Sequence, residues 1–121
     1  MSVFDSSALI AILRDEPGAS KAREHLGGGA HCSAANWSEV AQKMAHYGVN
    51  WPVAREALLS RGIEIEPVTA ADAEVAAALW VAGAGLSLAD RLCIALGRRL
   101  DQEVITCDSA WAVHPGVVVL R

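Results

Sequence analysis

Short β-rich runs alternate along this chain with longer stretches whose apolar residues recur at helical spacing, and that alternation restricts the fold more than any other feature. It predicts an α/β domain around a mostly parallel sheet. Strands are expected over Ser2–Asp5, Ala30–Ser33, Ile63–Val68, Glu103–Thr106 and Val117–Leu120. Helices are expected over Ser6–Arg14, Ala19–Leu26, Ala34–Tyr47, Pro52–Arg61, Ala70–Val81 and Leu88–Leu100. Pro17, Gly27 to Gly29, Gly48 and the pair Gly83 and Gly85 punctuate them.

With 121 residues, 53% of them hydrophobic, the chain is expected to form one domain over residues 1–121. The formal charge of −4 argues against a broad basic face that grips nucleic acid. Acidic residues exceed basic ones by 14 to 10, so four carboxylates gathered around a cation would leave the rest balanced. Cys32, Cys93 and Cys107 form an odd set without CxxC spacing, which indicates neither a disulfide framework nor a zinc site and fits a cytoplasmic protein. The longest uncharged stretch, Val75 to Ala89, is too short to span a bilayer, and no membrane role is expected.

Two segments echo each other. "VFDSSA" near the start and "VITCDSA" near the end both run from an apolar strand into Asp, Ser and Ala. In open parallel sheets ligands bind beyond the carboxyl ends of the strands. Asp5 and Asp108 are therefore candidates for one shared site, although each is equally well read alone as a helix N-cap. Asp90 stands three residues after Ser87, a capping-box spacing, and lies off the stripe formed by Leu88, Leu92, Ala95 and Leu96. Glu39 points away from the expected core face of Trp37, Val40, Ala41 and Met44, and its local reading is an exposed pair with Lys43. Taken together the four make an oxygen-rich set of the kind that Mg²⁺ and Mn²⁺ prefer, and two such ions can drive in-line displacement at phosphorus.

The motifs "VFDSSALIAIL", "NWSEVAQK", "LSLADRLCIALG" and "VITCDSAW", in that order, resemble the PIN-domain ribonucleases, and within them the small VapC-type toxins of bacterial toxin–antitoxin pairs. The resemblance spans nearly the whole chain. It implies a three-layer α/β/α sandwich with a five-stranded sheet, and metal-dependent hydrolysis of RNA phosphodiesters without a side-chain nucleophile. It also implies Mg²⁺, with Mn²⁺ as substitute, held by Asp5, Glu39, Asp90 and Asp108, with Thr106 as a nearby positioning hydroxyl and Ser6 supporting Asp5. The implied partners are an RNA substrate, a cognate antitoxin protein and a second copy of the chain, with apolar surface around Trp80 as a candidate contact. Arg91 is a candidate for meeting phosphate. The competing reading is a non-catalytic α/β module that binds metal or protein. His25, His31, His46 and His114 lack metal-ligand spacing and are expected to be surface or packing residues.

Overall fold

The computed structural model describes residues 1–120. Five strands, β1 (Ser2–Phe4), β2 (Ala30–Ser33), β3 (Ile63–Glu66), β4 (Val104–Thr106) and β5 (Val117–Val119), form one parallel sheet in the order β3-β2-β1-β4-β5. Six helices accompany them: α1 (Ser6–Arg14), α2 (Ala19–Leu26), α3 (Ala34–His46), α4 (Trp51–Leu59), α5 (Ala70–Ala78) and α6 (Leu88–Leu100). A short 3₁₀ turn, Ser109–Trp111, follows β4.

Successive side chains of a strand point to opposite faces, and the core divides accordingly. Phe4, Ala30, Cys32, Ile63 and Ile105 face Leu9 and Ile12 of α1, Ala22 and Leu26 of α2, Val40 and Met44 of α3, and Leu58 of α4. On the other face Val3 and Val104 meet Cys93, Ile94 and Leu96 of α6, together with Trp111. Parallel strands covered on both faces read as continuous apolar runs, which is why Val3 and Phe4 of β1 and Val104 and Ile105 of β4 are apolar in succession. Gly97 allows α6 to lie close on β4, because a Cβ there would stand 2.5 Å from a methyl of Val104.

Side chains cap most helix starts. Asp5, Ser33 and Asn50 accept bonds from the first-turn amides of α1, α3 and α4. Thr69 with Asp72, and Ser87 with Asp90, form reciprocal capping boxes at α5 and α6. Asp72 also receives a two-pronged bond from Arg99 at 2.9 and 3.2 Å, which ties α5 to the end of α6.

α3, α4, β4 and β5 differ from the sequence expectation by one or two residues at one or both ends; three further boundaries differ for identifiable reasons, and one face differs as well. α5 stops at Ala78 rather than Val81, ahead of a segment in which Gly83 and Gly85 take positive φ of 76° and 82°. β3 ends at Glu66 because Pro67, which has no amide to donate, follows it. β1 ends at Phe4, and Asp5, still extended and bonded through its amide to Ile105, serves as the cap of α1. Leu88, expected in the buried stripe of α6, is 59% exposed at the first turn of that helix. Among the described residues no helix is long and apolar enough to cross a membrane.

Candidate metal centre

Strand order fixes where the site lies. From β1 the chain builds outward through β2 and β3, then returns to add β4 on the opposite edge of β1. The direction of winding reverses between β1 and β4, and the crevice beyond their carboxyl ends is the ordinary ligand position in such sheets.

Asp5 sits directly after β1, at the floor of that crevice. It is 3% exposed, and its carboxylate accepts from three groups. Thr106 Oγ1, at the end of β4, donates to Oδ2 at 2.6 Å. Ala8 N donates to Oδ1 at 2.9 Å, and the Ser7 hydroxyl lies 2.8 and 2.9 Å from the two oxygens. Ser7 Oγ in turn accepts from Cys107 N at 2.9 Å, and Thr106 Oγ1 accepts from Asp108 N at 3.0 Å. One polar network therefore stitches the end of β1 to the end of β4.

The supporting serine is Ser7, which corrects the expectation placed on Ser6. One residue of helix turns a side chain by about 100°, and Ser6 Oγ instead donates to Glu39 Oε1 on α3 at 3.0 Å. Buried Asn36 donates to that same oxygen at 3.0 Å, while its own Oδ1 has no partner among the described residues. Glu39 is thus held by Ser6 and Asn36, and it forms no ion pair with Lys43. Sequence reading missed both Ser7 and Asn36. The adjacent serines of "DSSA" signal a capping position without distinguishing the two, and Asn36 sits where the stripe of α3 predicts apolar packing.

Asp90 occupies the first turn of α6 and Asp108 caps the turn after β4. Asp90 Oδ2 accepts from Ser87 N at 3.0 Å, and Asp108 Oδ1 accepts from Ala110 N at 2.9 Å. Among the described residues the second oxygens of Asp90, Asp108 and Glu39 receive no hydrogen bond, so each acid has one oxygen held and one available. No three of the four acids bring ligand atoms mutually within 4.8 Å.

The electrostatics show which acids sense one another. Burial pushes the Asp5 carboxyl up to about 6, against the opposing hydrogen bonds from Thr106, Ala8 and Ser7, and Asp90 adds to the rise. Burial also raises Asp90, where Ser87 opposes the shift and the charges of Glu39 and Asp108 reinforce it. Asp90 therefore feels the other three acids. Beneath them, burial with the charges of Asp5 and Glu39 raises the Cys32 thiol, and burial, Asp5, Cys32, Asp90 and Glu39 raise Cys93. A divalent cation fits this donor set: all ligands are hard oxygens, and its charge offsets the repulsion that otherwise favours protonation.

In chelator, this burial makes Asp5 a pH-dependent liability. Its folded value of about 6 lies above the ordinary 3.8, so its contribution is intact below pH 4 and is lost as pH rises through 6. At about 1.4 kcal/mol per unit the loss amounts to about 2–3 kcal/mol. Asp5→Asn keeps a capping oxygen for Ala8 and is expected to lack that decline. Urea unfolding of both proteins at pH 4 and 7.5 without metal measures it; identical pH dependence in the two would remove Asp5 as the source.

Arg91 faces protein rather than solvent: its Nη1 donates to Ala76 O at 2.9 Å and joins α6 to the end of α5. Lys43 and Arg98 are exposed. Trp80, Val81 and Leu88 are exposed together around the α5–α6 junction, at 61, 64 and 59%.

Comparison with curated protein sequences gives no match. Among solved structures, the chain is similar to a toxin–antitoxin complex from Klebsiella pneumoniae at 25% identity and a TM-score of 0.77, over 98% of this chain and 97% of that one. It is also similar to Mycobacterium tuberculosis VapC20, a sarcin–ricin loop cleaving toxin, at 18% identity and a TM-score of 0.79 over the full length of both. A third similar structure is VapBC2 from Rickettsia felis bound to a DNA fragment from its promoter, at 12% identity and a TM-score of 0.69, covering 98% and 96%. The PIN domain family model matches residues 2–116, and with the sheet order and the crevice between β1 and β4 this means that the chain belongs to the PIN domain family.

Proposed function

We propose that the chain, acting as one unit over residues 1–121, is a divalent-metal-dependent endoribonuclease and the toxin of a type II toxin–antitoxin pair. The observation that carries the reading is that Asp5, Glu39, Asp90 and Asp108 come from four separate elements around a sheet whose winding reverses between β1 and β4, with Asp90 raised by the charges of Glu39 and Asp108 and itself raising Asp5. The Mycobacterium tuberculosis neighbour, a toxin that cleaves the sarcin–ricin loop, favours RNA as the substrate class. The Klebsiella pneumoniae complex favours a protein antitoxin as partner. Action on RNA in the cytoplasm follows from the same pairing.

Asp90, Asp108 and Glu39 would hold Mg²⁺, or Mn²⁺ in its place, through their available oxygens, with Asp5 fixed below them. Bound there, the cation supplies an acidified water and stabilises charge developing on the phosphate. The protein's share is placement. Ser7 and Thr106 fix the Asp5 carboxylate, Ser6 and Asn36 aim Glu39, and the Ser87 amide fixes Asp90. The exposed group of Trp80, Val81 and Leu88 beside the first turn of α6 is the proposed contact for a second copy of the chain or the antitoxin.

Incubating the protein with RNA and Mg²⁺ tests the reading. Cleavage is expected with Mg²⁺ or Mn²⁺, and none after EDTA. Undiminished cleavage in EDTA would remove the metal role, and absence of cleavage under every condition would leave the non-catalytic module.

A further inference from the structure

A second cluster of metal-ligating groups lies across β2 and the edge strand β3, on the side of β1 away from β4. The pairing of β2 with β3 sets Glu64 opposite His31 and Glu66 opposite Ser33, so His31, Glu64 and Glu66 share one face. The His31 side chain is 10% exposed, and its Nε2 stands 3.0 Å from Glu64 Oε2 and 3.6 Å from Glu66 Oε1. All three ligand atoms lie within 4.8 Å of one another.

The other ring nitrogen determines what this face can hold. His31 Nδ1 is 3.0 Å from Gln102 Oε1, on the loop after α6. An amide oxygen only accepts, so with Gln102 Oε1 facing it Nδ1 carries a proton, and Nε2 meets the two carboxylates either as a second N–H donor or through a lone pair given to a metal ion. Without either, a ring lone pair and two carboxylates would face one another with no donor between them. Among the described residues no Lys or Arg pairs with Glu64 or Glu66, and Arg99, whose guanidinium reaches the carbonyl of neighbouring Pro67, is committed to Asp72. The cluster therefore needs a positive charge of its own: a second proton on the imidazole, or a metal ion.

The geometry points to a transition-metal site of the Zn²⁺ class, with His31 Nε2 and the carboxylates of Glu64 and Glu66 as ligands and a fourth position open to solvent. Around a tetrahedral ion with bonds of about 2.1 Å, neighbouring ligand atoms stand about 3.4 Å apart, and the two distances from Nε2 lie on either side of that value. The Gln102 bond is the outer contact that commonly fixes the tautomer and orientation of a ligating histidine. Glu64 is largely exposed, which leaves the ion a path from solvent. Such an ion would staple β3 to β2 and owes nothing to the four carboxylates of the crevice.

Co²⁺ is a visible stand-in for Zn²⁺ and separates the two sites. The full chain at pH 7 is titrated with Co²⁺ as wild type, Glu64→Gln, Glu66→Gln and the double variant Asp5→Asn with Asp90→Asn. We expect one equivalent of Co²⁺ to give visible d–d absorption in wild type and in the Asp double variant, displaced by Zn²⁺. Glu64→Gln and Glu66→Gln, both at least partly exposed and expected to keep their metal-free unfolding midpoint, should each weaken binding by about tenfold or more. Absorption lost in the Asp double variant but kept in both Glu variants would move the ion to the crevice and overturn the proposal. So would the absence of both Co²⁺ absorption and a Zn²⁺-induced rise in the wild-type melting midpoint, which would leave a protonated imidazole between the two acids.

Discussion

Asp90→Asn is expected to reduce Mg²⁺-dependent RNA cleavage by about 10²–10³-fold, the size of effect seen when one group that stabilises transition-state charge is removed. Asp90 is the acid whose charge acts on Asp5 and which is itself raised by Glu39 and Asp108, so its loss should disturb the set more than any other single change. The substitution is conservative for the fold. Asn retains an oxygen to accept from Ser87 N, so the capping box of α6 survives, and removal of a charge that burial disfavours should not lower stability. Single-turnover cleavage of a labelled RNA, read beside circular dichroism and the melting midpoint, measures the effect. Wild-type cleavage by a folded Asp90→Asn protein would refute the assignment. Glu39→Gln is a useful companion: its amide oxygen still accepts from Ser6 and Asn36, so a comparable fall would reflect lost charge rather than lost position.

Trp111→Ala should be the most damaging single substitution for stability, by about 3–5 kcal/mol, the range for truncating a fully buried large aromatic side chain. Trp111 is 1% exposed and packs among Val3, Cys93, Ile94, Leu96 and Val104, closing the α6 face of the sheet. Among the described residues its indole nitrogen has no hydrogen-bond partner, so apolar burial dominates its contribution and Trp111→Phe should recover part of the loss. Urea unfolding of the three proteins checks this, and a change below about 1 kcal/mol for Trp111→Ala would show that the neighbours close the gap. Asp108 begins the turn that Trp111 ends, and the Trp111 amide bonds back to the Asp108 carbonyl at 3.2 Å. Cleavage per folded molecule should therefore fall as well.

Much of the fold was legible because the governing signals are local. β-rich runs ending in Asp or Ser, followed by helical periodicity, identify five strands and six helices to within a few residues. Asp5 was legible both as a cap and as a member of the acidic set for the same reason, since capping and the end of a parallel strand coincide there. Contacts between distant segments were less accessible. Lys43 at i+4 is the obvious local partner for Glu39, yet Ser6, 33 residues earlier, holds it. Ser7 and Ser6 differ only in the direction each faces once α1 packs. His31 appeared unremarkable because its two acids are 33 and 35 residues away, and only the pairing of β2 with β3 aligns "HCS" with "EIE".

The bond from Thr106 to Asp5 spans 101 residues of chain, and it has a consequence for the order of synthesis. Asp5 leaves the ribosome first, yet β4, which supplies its strongest hydrogen-bond partner, emerges only after all six helices have been made. Until then Asp5 lacks Thr106, the crevice has one wall, and Asp108 has no position. A nascent chain stalled before β4 would carry three of the four acids without an assembled centre. The late strand thus completes the centre, and the carboxylates of the crevice come together only once β4 has paired with β1.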